Sequence, residues 1–551
     1  MKISHGLSPS VKIIGAIACF WMLAAALLPV VQDEAYYFAW ARYLDFGYFD
    51  HPPFVALIAW PANFANSSYI IARVGTLITS VTTLFATRRL FRIVGLKYDW
   101  AEVTALLLAF GNLMGLAYGF ITTPDTALLL AWVLALSEAA LALRGHERRW
   151  LSAGFMTGVG LWSKYMMLLI GPVFLWALVA QWRLWPASGR GLKGPWPYLG
   201  GIVALMVIAP HLYWNAEHDW ITIRFQARHG FASEHLGVNG ASKLPIPEPA
   251  KADSAEWQLA KYWSDLRETD KKTYQSAKPY DEFLKSLNRY VGYYGSQVAA
   301  WGGLLGAVYV SLRRRKDDKS SPADDLIYPE LRPLMVAATA VPLIIFGLIS
   351  LGSKVEANWS AMYLLSAAAL LTPHLKNKSK IVYIGLAANF LLIALLLLHS
   401  VTGLLPVRPD RDRLLTETHG YRALAEKLNQ LDRPVFADSY QITAMANFYS
   451  QSRVLRQWPG ITRDSEFVRR PEMNEDSGDA LHKAGGFWLV TTDLPRTVTG
   501  YVAKQMMQLR DCKDGELQVI SSSEPRESAD RCARPVHEWY LVRYDVAHSR
   551  G

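Results

Sequence analysis

Long apolar runs alternate with short clusters of charged and polar residues along most of the chain. The runs are roughly 18 to 22 residues long, the length that a helix needs to cross a hydrocarbon core about 30 Å thick. We therefore expect a polytopic α-helical membrane protein with about eleven spans. The predicted spans are 11–31, 70–91, 101–121, 125–143, 151–163, 165–182, 197–214, 291–312, 333–351, 358–374 and 381–402.

The segment 151–182 decides this predicted number of spans. Basic residues flank it on both sides, and such residues favour the cytoplasmic side of a membrane. The segment must then cross twice, as two short helices that turn near Ser163, Lys164 and Tyr165. One long helix with a buried Lys164 is the alternative, and it would place the next basic loop outside.

The basic clusters also set the predicted orientation. They follow the second and fourth spans, precede 197–214, and separate later pairs of spans, as RRRK does at 313–316. If all of them are cytoplasmic, the amino terminus is cytoplasmic and the carboxyl-terminal region lies outside. The first run, 11–31, has no small-x-small cleavage site before the acidic segment, so we interpret it as a retained span.

Two domains are expected from this pattern. Residues 1–402 would form a transmembrane domain with outer loops at 32–69 and 215–290, and residues 403–551 would form a tail domain. In the tail, RPVFADSY and GFWLVTTD are typical of buried strands, whereas YRALAEKLNQL and ITAMANFYSQ are typical of helices. The tail is therefore predicted to be a small extracytoplasmic α/β domain.

Composition and charge agree with a membrane protein. Hydrophobic residues make up 51% of the chain and charged residues 19%, where about a quarter is usual in soluble proteins. The net charge of +10 follows from the basic cytoplasmic loops, so no nucleic-acid partner is expected. Cys19 lies within a span, and Cys512 and Cys532 would face an oxidising compartment, where a disulfide between them is one of two open alternatives.

Six polar clusters lie at the outer ends of the predicted spans. Ionisable residues beside membrane spans are costly and are usually functional, so their convergence on one face predicts a single site there. The clusters are DE (33–34), DHPP (50–53), TTPD (122–125), SKY (163–165), WN (214–215) and SKVEANW (353–359).

Four of the clusters suggest particular chemistry. Asp50 and His51 could bind a divalent cation (Mg, Mn or Zn) or an anionic head group, and the following prolines stiffen the backbone. Asp125 opens a span, where a helix N-cap is the ordinary role and does not exclude catalysis. Lys164 and Lys354 lie in apolar sequence and either snorkel to the interface or bind a phosphate. The combination fits group transfer from a lipid phosphate, in which a carboxylate activates the acceptor and cations stabilise the leaving group.

The order of the motifs resembles the membrane glycosyltransferases of the GT-C superfamily. The similar group contains the protein O-mannosyltransferases and the lipid A aminoarabinose transferase, and the resemblance extends from about residue 10 to 405. The motifs that carry it are DEAYYFAWARYL, YFDHPP, TPDTALLLAW, GVGLWSKY, PHLYWN and KVEANW, in that order.

The resemblance implies roles for individual residues. Asp33 would activate the acceptor, Asp125 matches a second acidic position, and Asp50 with His51 stands at a place linked to metal and lipid phosphate. His51 replaces a permanent cation of the aminoarabinose transferase, which puts direct phosphate neutralisation there in doubt. The expected substrate-binding residues are Glu34, His51, Lys164, Lys354 and Glu356.

The implied activity is inverting sugar transfer from a polyprenyl-phosphate donor. The acceptor would be lipid A, lipopolysaccharide core, another glycan or a protein, on the periplasmic face of a bacterial inner membrane. An oligosaccharide transferase is one alternative within the same class of enzyme. A lipid-linked glycan transporter or flippase is another, but it predicts polar residues at mid-bilayer and paired halves, and neither is evident.

Overall fold

The computed structural model describes most of the chain. The described residues are 7–184, 192–231, 244–249, 279–317, 326–375, 380–450, 454–473, 478–492, 496–521 and 535–547. Most of the predicted outer loop 215–290 and the predicted disulfide partner Cys532 lie outside these ranges. Cys512 itself is disulfide-bonded.

Helices dominate the first 402 residues. The first twelve are α1 (Pro9–Leu27), α2 (Gln32–Trp40), α3 (Phe54–Ala59), α4 (Tyr69–Ala72), α5 (Val74–Val94), α6 (Asp99–Phe110), α7 (Leu113–Tyr118), α8 (Pro124–Leu143), α9 (Arg149–Ser163), α10 (Ile170–Leu184), α11 (Trp196–Glu217) and α12 (Ile221–Phe231). Five more follow: α13 (Pro279–Trp301), α14 (Gly303–Asp317), α15 (Arg332–Gly352), α16 (Tyr363–Leu371) and α17 (Lys380–Thr402).

Several of these helices are long and apolar enough to cross a membrane. Within the described ranges, six helical stretches meet that standard, and three shorter apolar ones accompany them. The predicted span 101–121 is divided into α6 and α7, because Asn112 ends one helix and caps the next by accepting a hydrogen bond from the Gly115 amide at 2.9 Å. The protein is therefore a mostly helical membrane protein.

The segment 151–182 folds back on itself at Lys164. Helix α9 ends at Ser163, and a short 3-10 turn over Tyr165–Leu169 leads into α10. The Trp150 ring contacts the Phe174 ring at 5.2 Å between centroids. Gln181, near the end of α10, donates a hydrogen bond to the Leu143 carbonyl at the end of α8. The end of α10 thus returns to the level of the basic residues before α9, and the alternative of one long helix is wrong.

The tail carries a mixed sheet with helices. Its helices are α18 (Arg413–Thr418), α19 (Tyr421–Asn429), α20 (Tyr440–Tyr449), α21 (Glu466–Arg469) and α22 (Gly478–Lys483). A short strand from the segment before α13, β1 (Glu248–Pro249), pairs antiparallel with β5 (Arg496–Thr497) of the tail. The other strands of the tail are β2 (Val435–Ala437), β3 (Arg456–Gln457), β4 (Gly486–Thr491), β6 (Tyr501–Asp511), β7 (Leu517–Ser521) and β8 (His537–Val546). Six strands form one sheet in the order β3-β2-β4-β8-β6-β7, with β2 parallel to β3 and β4 and the remaining pairs antiparallel.

One apolar core joins the tail to the segment that contains α2. Buried rings of α2, including Tyr36 and Trp40, pack in the same cluster as Tyr440 and Met445 of α20. The Tyr36 and Tyr440 rings lie 4.6 Å apart between centroids. Because burial of such side chains contributes roughly 1.5–3 kcal/mol each, this shared core holds the tail firmly on α2.

The loop after α2 packs its backbone tightly against α11. A Cβ atom added at Gly47 would overlap with the ring of Trp214, which is itself stacked on the His218 ring at 4.0 Å. We expect Gly47→Ala to lower the free energy of unfolding by about 1–3 kcal/mol, because an overpacked site must displace its neighbours. Thermal unfolding in detergent would measure the change. Gly15→Ala is the control, since nothing lies within 4 Å of the added atom, and an equal loss in both variants would contradict the packing argument.

Candidate functional site

A cavity of about 1390 Å³ lies between the membrane helices and the tail. Its walls come from α2, the DHPP loop, α12, Arg289 of α13, the loop after α15, and the tail. The predicted site residues Asp33, Asp50, His51, Lys354 and Glu356 all line this cavity. The structure thus brings together five polar residues from three segments of the sequence.

Asp33 stands on the first turn of α2 and opens into the cavity. The Tyr440 hydroxyl donates a hydrogen bond to its Oδ1 at 3.2 Å. The carboxylate is accessible from the cavity, yet protein surrounds it on the other sides, and this burial raises its pKa above the usual range. The Arg463 guanidinium lowers the pKa and the Asp50 carboxylate raises it, with a net upward shift. A raised pKa makes Asp33 a stronger base once it is ionised.

Asp50 faces the tail. Its Oδ1 forms an ion pair with Nη1 of Arg463 at 2.5 Å, while Oδ2 is buried and has no hydrogen-bond partner among the described residues. Gln226 of α12 contacts both the Asp50 carbonyl and the His51 ring. The DHPP loop is therefore held between α12 and the tail.

The donor set at Asp50 does not fit the predicted divalent cation. The unpartnered Oδ2 of Asp50 could ligate a cation, but the guanidinium of Arg463 already holds Oδ1 of the same carboxylate. In the part of the chain that the structure describes, no three His, Cys, Asp or Glu side chains are grouped so that they could hold a metal ion. Zinc takes three or four protein ligands, and hard cations need several oxygens. The metal role of Asp50 and His51 stays a prediction.

Asp125 and Lys164 form a cluster of their own. Nζ of Lys164 lies 2.9 and 3.0 Å from the two carboxylate oxygens of Asp125, and the Asn358 amide donates to Oδ2 at 2.9 Å. Lys164 is only 5% exposed and does not line the large cavity. Asp125 instead lines a small neighbouring pocket. Lys164 is therefore placed to pair with Asp125 rather than to meet a phosphate in the cavity.

Tyr37 lies between the two groups of carboxylates. Burial raises the pKa of its phenol, and the charges of Asp33, Asp50 and Asp125 raise it further. The phenol therefore stays protonated at neutral pH and can donate a hydrogen bond into the cavity that it lines.

Glu34 is directed away from the cavity. It is fully buried and forms an ion pair with Arg73, which is also fully buried. Its Oε1 accepts hydrogen bonds from Nε of Arg73 at 2.9 Å and from the Thr122 amide at 2.7 Å. Glu34 thus ties α2 to the start of α5 and to the loop that precedes Asp125. The substrate contact expected of Glu34 has no support in this geometry.

Lys354 and Glu356 face each other at the cavity wall. Nζ of Lys354 lies 2.7 Å from Oε1 of Glu356, and the lysine side chain is 77% exposed. Such an exposed pair contributes little to stability, so Lys354 can exchange Glu356 for an anion at low cost. This position suits the predicted phosphate role better than that of Lys164.

Three residues of the site were not found from the sequence. Tyr440 and Arg463 come from the tail, whose docking on α2 no local pattern reveals. Arg289 lines the cavity from α13, and its Nη2 donates to the Ser286 hydroxyl and the Leu351 carbonyl, both at 2.9 Å. A lone arginine just before the predicted span 291–312 was the signal that could have revealed Arg289.

Comparisons with known proteins agree with this architecture. Residues 50–214 match the model of the dolichyl-phosphate-mannose-protein mannosyltransferase family. The lipid A galacturonosyltransferase RgtD of Rhizobium johnstonii is 29% identical over 214 residues. That match covers 38% of this chain and 42% of RgtD, so it spans less than half of the relative's length.

Solved structures extend the likeness to nearly the whole chain. ArnT from Cupriavidus metallidurans bound to undecaprenyl phosphate has a TM-score of 0.53 and 12% identity, covering 97% of each chain. The Archaeoglobus fulgidus oligosaccharyltransferase in complex with Zn and sulfate matches less closely, with a TM-score of 0.41 and 13% identity over 92% of this chain and 73% of the other. The GT-C resemblance is therefore confirmed at the level of the fold: the chain is a membrane protein with the GT-C glycosyltransferase fold, and its residues 50–214 match the mannosyltransferase family model.

Proposed function

We propose that this protein transfers a sugar from a polyprenyl-phosphate donor to an acceptor of the cell envelope, with inversion at the anomeric carbon. The observation that carries the proposal is the cavity of about 1390 Å³, in which carboxylates and three cationic side chains meet. The carboxylates are Asp33, Asp50, Glu356 and Asp464, and the cations are Arg289, Lys354 and Arg463. A base beside a cluster of cations suits a reaction in which a hydroxyl attacks and a phosphate leaves.

The relatives support the choice of substrates. ArnT has been solved with undecaprenyl phosphate bound, and RgtD is a lipid A galacturonosyltransferase. A lipid-linked donor also agrees with a cavity at the ends of membrane helices. We propose lipid A or a related envelope glycan as the acceptor class, with a protein as the further candidate, and leave the identity of the sugar to experiment.

Asp33 would act as the general base. It accepts the proton of the acceptor hydroxyl while the hydroxyl oxygen forms a bond to the anomeric carbon of the sugar. The bond from that carbon to the phosphate oxygen breaks at the same time, and its electron pair leaves with the lipid phosphate. A single displacement of this kind inverts the anomeric configuration. The hydrogen bond from Tyr440 orients the carboxylate for this step.

The other residues would bind and position. Lys354 and Arg289 would hold the phosphate, and Glu356 would keep Lys354 in place when no donor is bound. His51 would contact the donor from the DHPP loop. Asp125, which forms an ion pair with Lys164, would act as the second acidic group at the membrane end of the site. No step requires a metal ion.

The site would face the periplasm of a bacterial inner membrane. Helix α8 begins at the Asp125 cluster and ends beside Arg144, so the site residues and the basic loops lie at opposite ends of the same helix. Because basic loops favour the cytoplasm, the cavity and the tail would lie on the other side.

The test is a comparison of cells that have the protein with cells that lack it. Mass spectrometry of lipid A, core glycan and polyprenyl phosphates should show one glycan that loses a single sugar while the corresponding lipid-linked sugar accumulates. Loss of a whole oligosaccharide would favour an oligosaccharide transferase. Accumulation of the donor on the cytoplasmic face alone would favour a flippase, and no change in any glycan would contradict the proposal.

A further inference from the structure

We propose that Arg463 of the tail is the cation that neutralises the leaving phosphate at the Asp50 end of the cavity, in the place predicted for a divalent metal. This inference rests on the proposed function and makes it more specific. It adds a residue of the tail to Lys354 and Arg289, the two residues proposed above to hold the phosphate.

The guanidinium of Arg463 is fixed from three sides. Its Nη1 lies 2.5 Å from Asp50 Oδ1, its central carbon lies 4.1 Å from the centre of the Tyr440 ring, and the Phe225 ring is 5.3 Å away. The side chain is 24% exposed and lines the cavity. A guanidinium has five N–H donors in a planar fork, so it can hold a carboxylate on one edge and bind phosphate oxygens on another.

Arg463 is also close to the proposed base. Tyr440 contacts the guanidinium with its ring and donates its hydroxyl hydrogen to Asp33. Both residues line the cavity, and the positive charge of Arg463 lowers the pKa of Asp33. The cation thus stands beside the point at which the base and the sugar must meet.

Asp50 acts on the phosphate through Arg463. Its carboxylate would repel a phosphate on its own, but the ion pair converts this end of the cavity into a donor surface. As the bond between the anomeric carbon and the phosphate oxygen breaks, the electron pair remains on that oxygen, and the guanidinium donates hydrogen bonds to it. Arginine keeps its proton at any physiological pH, so no proton is transferred and no metal is needed to balance the charge.

The experiment uses the full-length protein in detergent. Arg463→Ala should reduce turnover about a hundredfold to a thousandfold, the usual effect of removing one group that stabilises developing negative charge. It should also weaken binding of undecaprenyl phosphate, measured without any sugar. Added guanidinium ion should restore part of the turnover, because it can enter the vacated space. Wild-type turnover should survive chelation, with metal absence checked by elemental analysis.

Arg433→Ala is the matched control. Arg433 is another tail arginine, 21% exposed, and its Nη1 also lies 2.5 Å from a carboxylate oxygen, that of Asp545, but it does not line the cavity. This control should keep its turnover and show no rescue by guanidinium. If Arg463→Ala fails to fold because Asp50 loses its partner, the double variant Asp50→Asn with Arg463→Met removes both charges, and its affinity for undecaprenyl phosphate gives the same answer.

Two results would overturn the inference. One is wild-type affinity for undecaprenyl phosphate in both the single and the double variant. The other is a wild-type enzyme that loses turnover on chelation and regains it with a divalent cation. Failure of the proposed function would look different: no polyprenyl-phosphate sugar would be a substrate of the wild type, whatever the effect of Arg463 on lipid binding.

Discussion

Asp33→Asn is expected to abolish sugar transfer while the protein still folds and still binds the polyprenyl-phosphate donor. The change preserves the size of the side chain, and the amide oxygen can still accept the hydrogen bond from Tyr440. It removes the base, and a positioned base contributes about a hundred- to ten-thousandfold to rate. Turnover of a purified donor, with donor affinity and thermal unfolding as controls, would measure these effects.

The pH profile gives a second check on Asp33. Burial raises its folded-state pKa above the unfolded value of about 3.9, so transfer should fall as the pH drops through the raised value. Any residual turnover of Asp33→Asn should lack this acidic limb. The stability of the folded protein changes with pH in the opposite direction to the rate of transfer. Ionising Asp33 costs nothing below the unfolded pKa and costs most above the folded pKa, so the variant should be at least as stable as the wild type at neutral pH.

Near-normal turnover by folded Asp33→Asn would contradict the assignment of the base. A product with the same anomeric configuration as the donor would do so as well, because retention requires a covalent intermediate.

Arg73→Met is expected to cause the largest loss of stability of any change considered. It leaves the Glu34 carboxylate buried with its ion partner removed, and breaking a buried pair in this way costs about 3–5 kcal/mol. Arg73 also donates hydrogen bonds to the Ala25, Leu28 and Pro29 carbonyls, which lose their donor. Denaturant unfolding in mild detergent would measure the loss.

Two further variants separate charge from packing at this position. Adding Glu34→Gln to Arg73→Met should recover part of the lost stability, because no buried charge then remains unpaired. Arg92→Met is the surface control, since Arg92 pairs with Glu102 at 2.9 Å but is 54% exposed, and its loss should cost less than about 1 kcal/mol. Equal losses in Arg73→Met and Arg92→Met would argue against the structural role of the Glu34 pair.

The sequence pattern predicted the elements of the membrane domain better than the partners of its charged residues. The turn at Lys164 follows from basic flanks and span length, which are local properties. The partner of Lys164 is Asp125, 39 residues earlier, and no periodicity encodes that pairing. The opposite roles of Asp33 and Glu34 could have been foreseen, because neighbouring positions on a helix point about 100° apart. The place of Arg463 in the site could not have been foreseen from the sequence, because it depends on how the tail packs on α2.

The tail wall of the cavity has a consequence for the order in which the protein is made. Translation proceeds from the amino terminus, so Asp33, Asp50 and the membrane helices are synthesised before the segment that carries Tyr440 and Arg463. A nascent chain that ends after α17 has the base but no closed cavity around it. Catalytic competence should therefore appear only after the tail has folded onto α2, and donor lipid would be spared from turnover or hydrolysis on half-made protein.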